Sequence, residues 1–231
     1  MLVVTGKKRR PYTKYSTAEL FHLDSSSTQC SVNYPINVLG AVGWLSEEGI
    51  TICGGRLSTR LYRDCYTLKD NQWIPRPSMT TARAYASTIK INATQTLILG
   101  GYDKSNYIKN ELTSTEMVDS NGAVMYKDLP MTLSSSCVLK INETMGLITG
   151  GMQNGSISAD THFLNLQTLD VTSGPRMRTV REDHGCVTFH FGSKNYALVS
   201  GGYGNKPRPK VLDSTELLDL EQSNPTWTVG T

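Results

Sequence analysis

The sequence predicts an all-β chain built from short four-stranded units arranged as a β-propeller. Two observations carry that expectation: a glycine pair that returns after an apolar strand at near-constant spacing, and the lack of any sustained helical period. The pairs are Gly54-Gly55 in "TICGGRLS", Gly100-Gly101 in "LILGGYDK", Gly150-Gly151 in "LITGGMQN" and Gly201-Gly202 in "LVSGGYGN", their first glycines 46, 50 and 51 residues apart. "LVVTGK" at 2–7 fits as a degenerate fifth copy, with Gly6 lying 48 residues before Gly54 and Lys7 replacing the second glycine.

The third copy shows how each unit divides. Strand 1 is "AYASTIKI" (84–91) and strand 2 is "TLILGG" (96–101). Strand 3 is "STEMVDS" (114–120), and strand 4 is "AVMYKD" (123–128). Turn-rich stretches separate them. Strand 2 is almost wholly apolar, as a central strand covered on both faces should be, whereas strand 4 is shorter and more polar. The units run roughly over 1–35, 36–78, 79–130, 131–176 and 177–231 as one domain, giving four complete blades and one lacking its first strand. Glycine reaches backbone angles closed to other residues and admits a second backbone. All eight paired glycines are therefore read as structural, and no phosphate-binding GxGxxG or GxxxxGK[ST] pattern competes for them.

Other phrases keep the same beat. Pro77-Ser-Met79-Thr-Thr-Ala-Arg83 matches Pro175-Arg-Met177-Arg-Thr-Val-Arg181, and Pro130-Met131 begins the phrase again with Ser135 at the arginine position. "STELLDL" at 214, "STEMVDS" at 114, "STAELFHLD" at 16 and the looser "DTHFLNL" at 160 mark strand 3; Trp73, Tyr126 and Trp227 mark strand 4. Together these resemble kelch repeats, one propeller blade each, over essentially the whole chain. Departures fall at Lys7, Ser135 and around Thr172, where a strand 4 aromatic is missing. The resemblance implies a kelch-type propeller, more often of six or seven blades, that closes by borrowing a strand from the far terminus. A fragment or an incompletely closed ring is the expectation for this chain.

Composition sets the outer bounds. With 231 residues, 38% apolar and 19% charged, a packed core is feasible. No run of about 18 apolar residues exists, so membrane insertion by a helix is not expected. "MLVVTGKKRR" carries its charges after its apolar stretch and does not read as a signal peptide. Cys30, Cys53, Cys65, Cys137 and Cys186 are an odd number without CxxC or metal-type spacing, and read as buried, unpaired thiols in strands. The sequons at Asn92, Asn142 and Asn154 point instead to a secretory origin. The compartment is therefore cytoplasmic, or extracellular if those sequons are used and a signal lies outside this chain.

No catalytic set stands out. His22 and His162 fall in strand 3 of two units, His184 follows the arginine phrase, and His190 has no ligand-spaced neighbour. Asp183 and His184 are adjacent in a strand and so point to opposite faces. HExxH and GxSxG are absent, and nothing marks the two-histidine, two-tyrosine copper set of a galactose oxidase type of enzyme. No metal or other cofactor is expected.

Charge is more informative. The segments joining strands 2 and 3 (7–15, 56–63, 102–113, 152–160 and 203–213) hold 13 of the 23 basic residues but only four of the 20 acidic ones. A net charge of +3 thus conceals +9 on these loops and −6 elsewhere. In a propeller, equivalent loops emerge on one face. That face is expected to bind an acidic protein segment through Lys8, Arg9, Arg10, Arg56, Arg60, Lys104, Lys206, Arg208 and Lys210, with Tyr102 and Tyr203 as aromatic anchors. Loops of this kind contribute to partner binding in several kelch domains. Nucleic acid fits less well, because a pI near 8.5 is not strongly basic and no basic helix would line a groove. The alternative function is a secreted glycan-binding or carbohydrate-active propeller.

Overall fold

The computed structural model describes residues 2–7, 14–21, 27–29, 32–103, 110–204 and 210–230, the first three stretches as backbone only. Blade one is a three-stranded antiparallel sheet of β1 (Leu2–Lys7), β2 (Lys14–Phe21) and β3 (Ser27–Gln29). Blade two contains β4 (Val42–Ser46), β5 (Gly49–Cys53), a small hairpin of β6 (Arg56–Leu57) and β7 (Arg60–Leu61), then β8 (Cys65–Lys69) and β9 (Gln72–Arg76). Blade three is β10 (Ser87–Lys90), β11 (Thr96–Leu99), β12 (Thr115–Asp119) and β13 (Gly122–Met125). Blade four is β14 (Cys137–Lys140), β15 (Met145–Thr149), the hairpin β16 (Met152–Gln153) and β17 (Ser156–Ile157), then β18 (Thr161–Asn165) and β19 (Val171–Ser173). Blade five is β20 (Gly185–Phe191), β21 (Lys194–Ser200), the hairpin β22 (Tyr203–Gly204) and β23 (Lys210–Val211), then β24 (Thr215–Asp219) and β25 (Thr228–Gly230).

Blades two to five are therefore four-stranded antiparallel meanders, and together they form a four-bladed β-propeller. Among the described residues there is no helix. The first strands β4, β10, β14 and β20 touch in succession, which makes them the innermost strands around the axis. The core lies between blades. Ile89, Leu97 and Leu99 of blade three pack on Ile148 and Leu164 of blade four; Leu139 and Leu147 of blade four pack on Met177, Val199, Leu218 and Trp227 of blade five.

The glycine pairs occupy the crowded end of strand 2. Gly54, Gly55, Gly100, Gly101, Gly150, Gly151, Gly201 and Gly202 all have positive φ. The first glycine closes onto its own strand 3, as in Gly54 N–H to Asp64 O at 3.0 Å and Gly150 N–H to Asp160 O at 3.0 Å. The second donates to the following blade, as in Gly55 to Arg83 O at 2.9 Å, Gly101 to Leu133 O at 2.7 Å and Gly151 to Arg181 O at 2.8 Å. A Cβ on Gly54 or Gly150 would lie 2.6 or 2.5 Å from those same carbonyl oxygens of Arg83 and Arg181.

The arginine phrase needs a correction in blade four. Met79, Leu129 and Met177 make equivalent backbone bonds, as do Arg83, Leu133 and Arg181. Leu133, not Ser135, stands at the arginine position; Pro130-Met131 lies two residues out of register. The bond from Leu129 N–H to Thr113 O, matching Met79 to Arg63 O and Met177 to Ala159 O, fixes the alignment on Leu129.

The cysteine expectation is also overturned. Cys53 and Cys65 face each other across β5 and β8 and form a disulfide, Cα–Cα 4.1 Å. Cys137 on β14 and Cys186 on β20 form a second, Cα–Cα 5.9 Å, joining the inner strands of blades four and five. The second separation lies in the usual disulfide range. Cys30 lies outside the described residues.

Candidate functional site: the loop face around the propeller axis

The 4–1 connections and the 2–3 loops emerge at the same end of the blades. Short bridges tie them together: Leu39 to Arg56, Ala84 to Tyr102, Ser134 to Met152 and Glu182 to Tyr203. One residue further on, Gly40, Tyr85, Ser135 and Asp183 occupy equivalent places, all with positive φ. They form a ladder around the axis: Tyr85 N–H donates to Gly40 O at 2.8 Å, Ser135 to Tyr85 O at 2.8 Å and Asp183 to Ser135 O at 2.9 Å. These four and the next residues Ala41, Ala86, Ser136 and His184 line a cavity of about 310 Å³ that opens to solvent on this face. Positive φ outside glycine usually marks a surrounding structure that over-determines the backbone, as this ladder does.

His184 is buried among these groups. Its Nε2 lies 2.9 Å from Thr149 Oγ1, and its Nδ1 has no hydrogen-bond partner. Burial, aided by the Arg181 charge, pushes its pKa down to about 4, so the imidazole is neutral at pH 7. This agrees with a structural histidine. His162 pairs with Gln153 Oε1 at 3.0 Å, and burial lowers its pKa as well. His190 lies 3.2 Å from Asn195 Oδ1 on exposed β20, and His22 is outside the described residues. Among the described residues no group of three or more His, Cys, Asp or Glu is placed to hold a metal ion.

Of the residues expected to bind a partner, Arg56 and Tyr102 are brought together from adjacent blades. Arg56 Nη1 donates to Tyr102 Oη at 2.8 Å, while its Nε and Nη2 donate to Ser58 O at 3.1 and 2.7 Å. Tyr102 is buried and stacks on Tyr85, ring centroids 5.5 Å apart. It supports the surface from beneath. The half-buried ring beside the axial cavity is Tyr85, whose hydroxyl pKa is raised by burial and by Tyr102 and Asp183. Sequence reading missed it, although its place one period from Gly40 and Ser135 was available as a signal.

Arg60 is exposed and lies over the Tyr62 ring at 4.9 Å. Tyr203 and Lys210 sit exposed on the β22–β23 hairpin. Lys8, Arg9, Arg10, Lys104, Lys206 and Arg208 lie outside the described residues. Four basic side chains of the 2–3 loops are described, Arg56, Arg60, Arg63 and Lys210, against all four acidic ones, Asp103, Glu111, Asp160 and Asp213. The excess positive charge of these loops is carried by the other nine basic residues. Asp160 pairs with Arg176, and Glu111 Oε2 accepts from Thr132 Oγ1 at 2.9 Å and Gly155 N–H at 3.1 Å.

Neither a protein-family model nor a curated protein matches the chain.

Proposed function

We propose that this chain is a kelch-type propeller acting as a non-catalytic protein-interaction module, which binds an acidic protein segment through its strand 2–3 loop face. The observation that carries the reading is the cross-blade assembly of Arg56, Tyr102 and Tyr85 beside the axial cavity. It presents a fixed cationic and aromatic rim to which the loop cations add. The kelch assignment draws support from the arginine and glutamate phrases, because they meet as buried ion pairs in two blades.

Binding of this kind weakens as salt rises, because exposed ion pairs are screened. The test is capture of partners from extract at low and high salt, with wild type beside a triple variant Lys206→Glu, Arg208→Glu, Lys210→Glu. Acidic partners lost in both conditions support the reading. Partners indifferent to both salt and the variant sink it.

A second reading, a secreted glycan-binding or carbohydrate-active propeller, is favoured by a different observation. Two disulfides suit an oxidising compartment, and the axial cavity offers Tyr85, Ser135, Asp183 and His184 as polar lining. Screening against immobilised oligosaccharides, with Asp183→Asn as the control, separates the two: carbohydrate binding lost in the variant favours the second.

A further inference from the structure

The strand 1–2 turns of blades three and four carry Asn92-Ala93-Thr94 and Asn142-Glu143-Thr144, one repeat apart. All six residues are exposed. In each turn the asparagine Oδ1 accepts from the threonine backbone N–H, at 3.0 Å in the first and 2.9 Å in the second. It accepts from the threonine hydroxyl at 3.1 Å in both. The carbonyl is thus bonded within its own turn; Asn92 Nδ2 also donates to Gln95 Oε1 at 2.9 Å, an exposed contact that a glycan would replace.

Position adds a second argument. Strand 1 starts at the axial cavity and runs away from it, so these turns lie on the face opposite the 2–3 loops. The two disulfides supply the third, because they form in the oxidising compartments that also hold the glycosylation machinery.

We infer that Asn92 and Asn142 carry N-linked glycans, which coat the face opposite the loops and leave the loop face for recognition. In the transfer, Asn Nδ2 bonds to C1 of a sugar on a polyprenyl-diphosphate oligosaccharide. The C1–O bond to the diphosphate breaks, the diphosphate leaves with the electron pair, and one Nδ2 proton goes to the transferase. Redox states do not change.

Asn154 stands apart. It lies at the tip of the β16–β17 hairpin on the loop face, with φ 50°. Its backbone N–H donates to Thr132 Oγ1 at 2.8 Å, and its Oδ1 lies 3.3 Å from the same hydroxyl. A glycan there would stand among the partner-binding loops, and this asparagine is assigned as unmodified. The assignment at Asn154 rests on the loop-face reading; that at Asn92 and Asn142 rests on the secretory compartment alone and survives failure of the acidic-segment reading.

The test is to direct the chain through the secretory route of animal cells and digest the product with a peptide-N-glycosidase in heavy-oxygen water. The expected result is heavy-labelled Asp at 92 and 142 with unlabelled Asn at 154. Asn92→Gln and Asn142→Gln should each remove one glycan from the intact mass, and Thr94→Ser should retain it. Translation into microsomes reads the same losses without requiring a stable product. Unmodified Asn92 and Asn142 in either system would overturn the glycan assignment, and a glycan at Asn154 would overturn the loop-face part of it.

Discussion

Arg83 and Arg181 are fully buried cations, and each is matched by a fully buried carboxylate. Arg83 Nη2 lies 2.7 Å from Glu116 and Arg181 Nη2 lies 2.8 Å from Glu216. Each glutamate also accepts two backbone N–H groups, Thr80 and Thr81 in blade three, Arg178 and Thr179 in blade five. Blades two and four lack both charges. Val38 and Leu133 replace the arginine, and Tyr66 and His162 replace the glutamate at the equivalent strand 3 position. A lone buried charge costs more than the pair, so the two are kept or dropped as a unit. Arg83→Leu is therefore expected to cost about 3–5 kcal/mol, and the double variant with Glu116→His less than the two single losses added. A double-mutant cycle by urea unfolding measures it; strict additivity would refute the coupling. His184 gives a pH prediction. Its folded pKa of about 4 lies below the ordinary 6.5, so the unfolded chain takes up the proton first. Its contribution is full above about pH 6.5 and falls as pH drops towards 4, by up to about 3 kcal/mol. Ala41, Ala86 and Ser136 hold the same place in the other blades. His184→Ala should thus lower stability at pH 7 yet flatten its slope between pH 6.5 and 4; an unchanged slope would assign the acid sensitivity elsewhere.

The strand is the scale at which the glycine pairs and disulfides act. Gly100 and Gly201 have similar φ, 61° and 67°, but different surroundings. A Cβ on Gly100 would collide with Leu133 O, whereas on Gly201 the nearest atom is Leu212 O at 3.6 Å. Gly201→Ala should cost about 1–2 kcal/mol from backbone conformation alone, and Gly100→Ala about 3 kcal/mol or more. Equal thermal shifts would show that the close approach does not matter. The disulfides close loops of 12 and 49 residues. Chain entropy makes them worth about 3 and about 4 kcal/mol, so Cys137→Ser with Cys186→Ser should destabilise more than the Cys53, Cys65 double variant. Much of this scale was legible in the sequence. The apolar strand 2, the glycine pairs and the Ser-Thr-Glu phrase fall where the repeat places them. The small hairpins inside the 2–3 loops were not, because two-residue strands leave no periodicity. The Cys137–Cys186 bond was hidden for a different reason: the residues are one repeat apart, and only adjacency of the inner strands turns 49 residues of chain into contact. At the site, Arg56 was found from charge, but burial of Tyr102 was not, since it depends on stacking with Tyr85, 17 residues back in its own blade, and on Arg56 from the neighbouring blade.

Across the whole molecule, stability accumulates from blade to blade, because each sheet buries one face against the next. Quasi-one-dimensional stacking of this kind makes local stability depend on nearest neighbours. Blade four shows what an enclosed blade looks like: Leu139 is 6% exposed and Leu147 0%. The residues in the same register on blade five are Val187 and Leu198, and Val187 is 49% exposed. Phe189 and Phe191, two and four residues further along β20, are 38% and 74% exposed, and Tyr196 stacks against Phe189 at 5.5 Å. Burial of such side chains is worth about 1.5–3 kcal/mol each, so blade five lacks on this face a contribution that blade four has. Opening of blade five should therefore precede opening of the interior. Amide exchange is expected to be faster in β20, β21 and β24 than in the equivalent β14, β15 and β18, apart from amides beside the Cys137–Cys186 bond, which ties β20 to β14. Reducing that disulfide should widen the difference. The exposed apolar stripe should also promote association, and Phe191→Lys should reduce it without altering the melting of blades three and four. Uniform exchange across the blades would mean that stability is shared by the whole ring and would defeat the nearest-neighbour account.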